Sequence, residues 1–303
     1  MIDYSGHLKE LMVKAGFPVE SWSVFIDADR CLFNSKIFSE KLDDIFIRHK
    51  EKRFENKKEM LGALSELSAQ AGIHEYTMHL LFFMYLAKDL REEYEKQNIP
   101  VEIYLDSMRD LGAKLIECKE VHGVWGSFVA SWFTGFFEVD RFALGRLQYE
   151  PRTFGRETYE KNGVVVDSDD LVYNIHIPSL GPLTIDSVYD SFRRAYGFFK
   201  QKLDKEHIVF VCGSWLLYKE HYDFLPSSSN ILKFMDCFDI IESHDNDFGD
   251  AWRIFGRFAD LPPEQLPHGT SLQKAYRDRL LGGQKTGSGF GVAVFDGEKI
   301  INK

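Results

Sequence analysis

Residues 174–199, NIHIPSLGPLTIDSVYDSFRRAYGFF, decide how the second half of the chain is read. A strand pattern over Leu171–Ile177 runs into Pro178-Ser179-Leu180-Gly181-Pro182, which neither a strand nor a helix can continue. Thr184 or Asp186 then caps a helix predicted over Ser187–Lys202. A strand that passes through such a loop into a helix start presents unpartnered backbone N–H groups at the positive end of a helix dipole, an arrangement suited to an anion such as pyrophosphate. Gly181 permits close backbone approach, and Arg193 and Arg194 within the helix add positive charge. The same geometry is also the ordinary connection of α/β proteins.

Working outward, Phe142–Pro151 reads as one strand on which Arg146, Gln148 and Glu150 alternate and share a face, turned to solvent or to a cleft. Val164–Val166 and Leu171–Ile177 flank the polar turn 167–170, which predicts a hairpin between them. Downstream come a buried strand at Ile208–Cys212, a helix opened by Ser228, Ser229 and Asn230 and ending at Cys237, a strand-like Ala251–Phe258, a helix over 270–281 and a last strand at Phe290–Phe295. A sheet with helices on its faces is the natural packing of that order. Upstream the pattern is helical, over 4–16, 36–52, 57–71, 74–96 and 101–119. We expect an α+β protein with a helical domain at 1–138 and a mixed α/β domain at 139–303.

A net charge of −10 disfavours phosphate backbones as partners, so no nucleic acid is expected. The longest apolar run, Leu80–Ala87, is far short of the roughly 20 residues that cross a bilayer, and the first residues form no secretory signal. Cys31, Cys118, Cys212 and Cys237 are scattered without a C-x-x-C pair, which argues for reduced thiols in a cytoplasmic protein. The 26 Phe and 13 Tyr fit thick cores or aromatic pocket walls, and with several carboxylates also allow a carbohydrate-binding reading.

Several attractive motifs fail. His74 and His79 stand one residue too far apart for a helical zinc site, so no metal is expected. Gly282–Gly291 places its glycines and Lys285 in the wrong order for a P-loop, and Asp236, Asp239, Asp245 and Asp247 lack calcium-loop spacing and read as a solvated turn. His176 is a candidate general base or a partly buried imidazole bonded to the backbone. Cys212, at a strand end beside Ser214 and Trp215, is a nucleophile only if a basic group lowers its pKa, and otherwise a small core residue.

Taken together, LGRLQYE (144–150), NIHIPSLGPLT (174–184), VCGSWLLY with SSSNILKF (211–218 and 227–234) and LPHGTSLQKAY (266–276) resemble a family of bacterial two-domain acyltransferase-domain proteins. The resemblance implies a helical N-terminal domain and a GNAT-like C-terminal domain whose central sheet splays between two parallel strands, here Leu171–Ile177 and Ile208–Cys212. Acetyl-CoA or another acyl-CoA would be co-substrate, with no permanently bound cofactor, and a small-molecule or peptide amine the acceptor. Ile177, Ser179, Gly181, Leu183, Arg193 and Asn230 would hold CoA; Arg146, Gln148 and Trp215 would face the acceptor; His176 or Glu150 would be the base. Such enzymes often place a proton-donating Tyr on the helix after the second splayed strand. The helix from Asn230 has none, and Tyr218 or Ser214 would substitute. The phosphate loop departs from the family's Q/R-x-x-G-x-G/A, carrying one glycine and two prolines that lack N–H donors. That departure motivates the alternative of a catalytically idle GNAT-like module that senses a ligand or binds a protein.

Overall fold

The computed structural model describes residues 5–203 and 205–303. The chain divides into two compact units, Met1–Asp140 and Arg141–Lys303. In the first, helices α1 (Ser5–Lys14), α2 (Val19–Asn34), α3 (Lys36–Lys50), α4 (Lys57–Ala71), α5 (Glu75–Lys96) and α6 (Val101–His122) are followed by a short turn of 3₁₀ helix and α7 (Thr134–Phe137). α5 is buried continuously from Thr77 to Ala87, as a helix that is apolar on every side must be. The expected helix over 4–16 appears as α1; its first residue lies outside the described ones. Residues 19–34, unassigned in the sequence, form α2, whose buried Ser21, Phe25, Ala28 and Leu32 keep helical spacing.

The second unit contains β1 (Phe142–Leu144), β2 (Leu147–Thr153), β3 (Tyr159–Lys161), β4 (Val164–Val166), β5 (Leu171–His176), α8 (Ile185–Phe199), β6 (Ile208–Ser214), α9 (His221–Phe224), α10 (Asn230–Met235), β7 (Asp239–Asn246), α11 (Trp252–Phe255), α12 (Ser271–Leu281) and β8 (Thr286–Phe295). Six strands form one sheet in the order β1-β2-β5-β6-β8-β7. Every pairing is antiparallel except β5 with β6.

Five expectations change. Phe142–Pro151 is a hairpin, with Gly145 at φ 81° opening the turn and Arg146 in it, so Arg146 does not share the strand face of Gln148 and Glu150. Val164–Val166 pairs back onto β3 through Asn162-Gly163, both at positive φ, a tight-turn pair that favours this hairpin over the one expected with β5. Ala251–Phe258 is helical, and the acidic segment read as a turn is β7, an exposed edge strand whose charges discourage further pairing. β8 begins earlier than expected, at Thr286.

The early start of β8 explains its glycines. Gly287, Gly289 and Gly291 alternate on one face, and a Cβ there would run into the Tyr218 ring, the Leu217 carbonyl and Phe238 respectively. Segment 215–218 and Phe238 therefore lie directly on the strand. The same face carries α8, where Phe192 stacks on Phe210 at 4.8 Å. The opposite face packs Val172, Val209, Val211, Val292 and Val294 beneath the β3–β4 hairpin.

Candidate active site

The parallel pair at the centre of the sheet is short. Tyr173 pairs with Phe210 and Asn174 with Val211, and the ladder stops there. β5 nevertheless continues to His176, held on its outer side by β2 through Gln148, and β6 continues to Ser214, held by β8 through Gly289. Two strands that each keep an outer partner while losing each other leave an opening between Ile175–His176 and Cys212–Ser214, lined by backbone amide edges.

The loop after β5 leads from the end of this ladder to the start of α8. Gly181 sits at φ 74°, which favours glycine, with no heavy atom within 4 Å of a would-be Cβ. Arg146 fixes the loop's shape: Nη1 donates to the Pro178 carbonyl at 2.8 Å, Nη2 to Gly181 at 3.0 Å and Nε to Pro182 at 3.3 Å. Its guanidinium is thus committed to the loop. Thr184 caps α8 by accepting from Ser187 N at 3.4 Å, leaving the first-turn N–H groups of Ile185 and Asp186 directed along the helix start. Ser179 and Gly181 are exposed and Leu183 half-buried on this loop, with Arg193 exposed two turns along α8. Asp186 places a carboxylate at the same helix end.

Beside the opening, on the sheet face of the β3–β4 hairpin, β2 and β5 bring four polar residues together: Gln148 pairs with His176 and Glu150 with Asn174. His176 Nε2 lies 2.9 Å from Glu150 Oε2 and 3.1 Å from the Asn174 amide nitrogen Nδ2. Arg141, just ahead of β1, donates to the same Oε2 from Nε at 3.0 Å and from Nη2 at 2.5 Å. The His176 hydrogen bond, then Arg141, hold the Glu150 carboxyl down at about 2, against an opposing contribution from burial. Glu150 is therefore an anion at any neutral pH, too weak a base to take an amine proton itself and well suited to orient the imidazole.

The other candidates are placed differently. Cys212 is fully buried on the α8 face and burial pushes its thiol up to about 12, which is the small-core-residue reading. Ser214 ends β6 at the mouth of the opening, its Oγ accepting from Leu216 N at 3.1 Å. Tyr218 is buried over Gly287, on the sheet face opposite His176. Its hydroxyl donates to Asp245 at 2.6 Å and accepts from Arg279 at 3.3 Å, and burial raises its pKa. Trp215 makes edge contacts with His221 and Tyr276 rather than with the β2–β5 cluster. Asn230 is the first residue of α10, and the cap is Ser229, accepting from Ile231 N at 3.2 Å. Sequence reasoning missed Arg141, which stands two residues after Val139 at φ 58° and reaches Glu150 because the β1–β2 hairpin folds back beside it. It also missed Arg156, whose guanidinium lies 3.7 Å from the centroid of the Phe290 ring and pairs with Glu242. Among the described residues no group of three or more His, Cys, Asp or Glu side chains is placed to hold a metal ion.

A mixed sheet opened at one parallel pair, preceded by a helical unit, defines a GNAT-like architecture with a helical N-terminal region. The model of the GNAT-like C-terminal domain matches residues 142–293, and that of the N-acyltransferase N-terminal domain matches residues 7–139. The chain belongs to the family that this GNAT-like domain defines. Similar solved structures include an acyltransferase in complex with decanoyl-CoA and teicoplanin (20% identity, TM-score 0.74, covering 97% of this chain and 90% of that one). Another is a mutant acyltransferase in complex with octanoyl-CoA (20% identity, TM-score 0.73, covering 96% and 88%). At that identity the likeness establishes the fold. No curated protein matches the chain. No helix of the described residues is long and apolar enough to cross a membrane.

Proposed function

We propose that this protein is an acyl-CoA-dependent N-acyltransferase acting on a small-molecule or peptide amine. The observation that carries the reading is the end of the β5–β6 ladder at Asn174 and Val211 beside the His176–Glu150 pair. The pantetheine arm would lie in the opening, with a backbone N–H near His176 or Ile177 polarising the thioester carbonyl. Ser179, Gly181, Leu183 and the α8 start would face the pyrophosphate, with Arg193 and Asn230 as flanking contacts. Gln148 would lie on the acceptor side. The amine nitrogen attacks the thioester carbon as His176 takes its proton. The C–N bond forms, the C–S bond breaks, and the thiolate leaves with a proton for which Ser214 at the end of β6 is the candidate donor. No covalent enzyme intermediate is needed, in keeping with the buried Cys212 thiol. The neighbours' acyl-CoA ligands support the donor, and the teicoplanin complex supports an amine-bearing acceptor.

Isothermal titration with CoA, acetyl-CoA and octanoyl-CoA tests the reading. Saturable heat with at least one is expected; no heat with any of them at millimolar ligand across several pH values would remove it. One observation favours the second reading, a catalytically idle GNAT-like module. The phosphate loop turns three carbonyls toward Arg146 and carries two prolines, so it offers an anion few N–H groups. Retention through purification of a ligand unrelated to CoA would support that alternative.

A further inference from the structure

We infer that Arg146 is the positioning residue of the loop between β5 and α8, holding its peptides so that amide N–H groups rather than carbonyls face a bound phosphate. The inference rests on the acyl-CoA reading for what carries that phosphate. From the β1–β2 turn, Arg146 donates to three loop carbonyls: Pro178 from Nη1 at 2.8 Å, Gly181 from Nη2 at 3.0 Å and Pro182 from Nε at 3.3 Å. A trans peptide sets its C=O and N–H on opposite sides, and among the described residues no peptide is cis. The Pro178–Ser179 and Pro182–Leu183 peptides therefore turn the N–H groups of Ser179 and Leu183 away from the guanidinium. The Gly181–Pro182 peptide turns its oxygen in and has no N–H to offer. The Leu183 N–H meets no acceptor among the described residues, and the first-turn amides of Ile185 and Asp186 follow it.

This arrangement accounts for a phosphate loop with one glycine and two prolines. A glycine-rich loop can aim its amides at a ligand because its backbone is free to turn. Here Gly181, at φ 74°, has that freedom, while Pro178 and Pro182 have a fixed φ. The donors that proline lacks cannot be restored, but carbonyls that would repel an anion can be withdrawn, and Arg146 withdraws three. Leu180 N also donates to the Pro178 carbonyl, at 2.8 Å, so that oxygen is held twice. A planar guanidinium can meet three carbonyls spread around it, which the compact ammonium of lysine cannot do in one plane. Its charge is not neutralised on the way. Asp190, whose carboxylate lies beside Gly145, is taken by Arg194 Nε at 2.7 Å, and Arg146 enters no ion pair among the described residues. Arg146 is half-buried, and burial lowers its pKa with no carboxylate offsetting it. Carbonyl dipoles leave the positive charge in place behind the loop, where it favours an anion in front.

The test titrates the full chain with CoA and with inorganic pyrophosphate, by calorimetry and by amide NMR. Arg146→Met keeps the stem and removes every donor; it is expected to weaken both ligands about tenfold. Arg146→Lys keeps the charge and loses the fork, and is expected to weaken CoA by about threefold or more. In the wild type, pyrophosphate should shift the amide signals of Leu183 and Ile185, and in Arg146→Met those shifts should disappear. A residue that merely supported the turn would lower the melting temperature and leave these ligand-induced shifts in place. CoA affinity within about twofold of wild type in either variant, or Leu183 and Ile185 shifts that persist in Arg146→Met, would overturn the inference. Should Arg146→Met not fold, Arg146→Lys decides by the same measurements. Pyrophosphate bound by the wild type and lost in the variants, with no heat from CoA, would sink the acyl-CoA reading and leave the role of Arg146 standing. A wild type that binds neither probe would sink both.

Discussion

Replacing Glu150 with Gln separates what the carboxylate does for the fold from what it does for the site. The carboxyl is held at about 2, against an ordinary value of 4.5. A depression of that size corresponds to about 3 kcal/mol of stability if taken at face value. The side chain is 30% exposed, so solvent screening reduces this to roughly 1–2 kcal/mol. Because the folded pKa lies below the unfolded one, the stabilisation is complete above the ordinary carboxylate range and is lost as pH falls toward 2; well over half is gone by pH 3. Glu150→Gln removes the charge at every pH and leaves the Arg141 guanidinium facing an amide.

Urea unfolding read by hydrogen exchange of peptides from β2 and β5 reports on this unit separately from the helical one. The expected result is a gap of about 1–2 kcal/mol between wild type and Glu150→Gln at pH 7 that narrows to less than half by pH 3. The slope is the diagnostic: a generic packing defect would lower stability equally at both values. Two curves that stay parallel from pH 7 to pH 3 would refute the claim that an ionised, doubly held Glu150 ties β2 to β5 and to Arg141.

Three further outcomes follow from particular contacts. Gly289→Ala drives a Cβ into the Leu217 carbonyl and should lower stability by more than about 2 kcal/mol, whereas Gly197→Ala, in α8 with nothing near it, should raise it by roughly 0.5–1 kcal/mol; thermal melts of both decide. Gly181→Ala strains a left-handed residue in open space, so it should cost only about 1–2 kcal/mol of stability yet weaken CoA binding in calorimetry, and unchanged CoA affinity would remove the loop from the site. Cys212 should resist alkylation in the folded protein, and Cys212→Ala should keep acyl transfer, since the thiol is buried and pushed up to about 12; rapid labelling at Cys212 would contradict this.

What was legible in the chain, and what was not, divides along one physical line. Local rules located the pieces: Pro178 to Pro182 had to break β5, Thr184 had to cap what followed, and alternation put Gln148 and Glu150 on one face. The resemblance then supplied the parallel pair, and the structure shows where its ladder ends. Partnership could not be read the same way. Whether Val164–Val166 folded back or forward turned on Asn162-Gly163, two residues that tolerate positive φ and so make the nearer hairpin the easier one. β7 hid because an edge strand wet along its length shows no apolar alternation, and its pairing comes from β8 rather than from its own residues. The glycines of β8 read as a loop until the segment lying on them was known: a Gly stripe is a statement about what packs above, which no local window contains. Arg141 is the same case at the site. Nothing in its neighbours marks it, since its role is set by a turn at Gly145 that brings β2 back alongside and by a register that places Glu150 within reach. A residue that acts through another becomes visible only once strand register is fixed. For that reason His176 stood out as a candidate from its chemistry alone, and Arg141, its neighbour on Glu150, only from the fold.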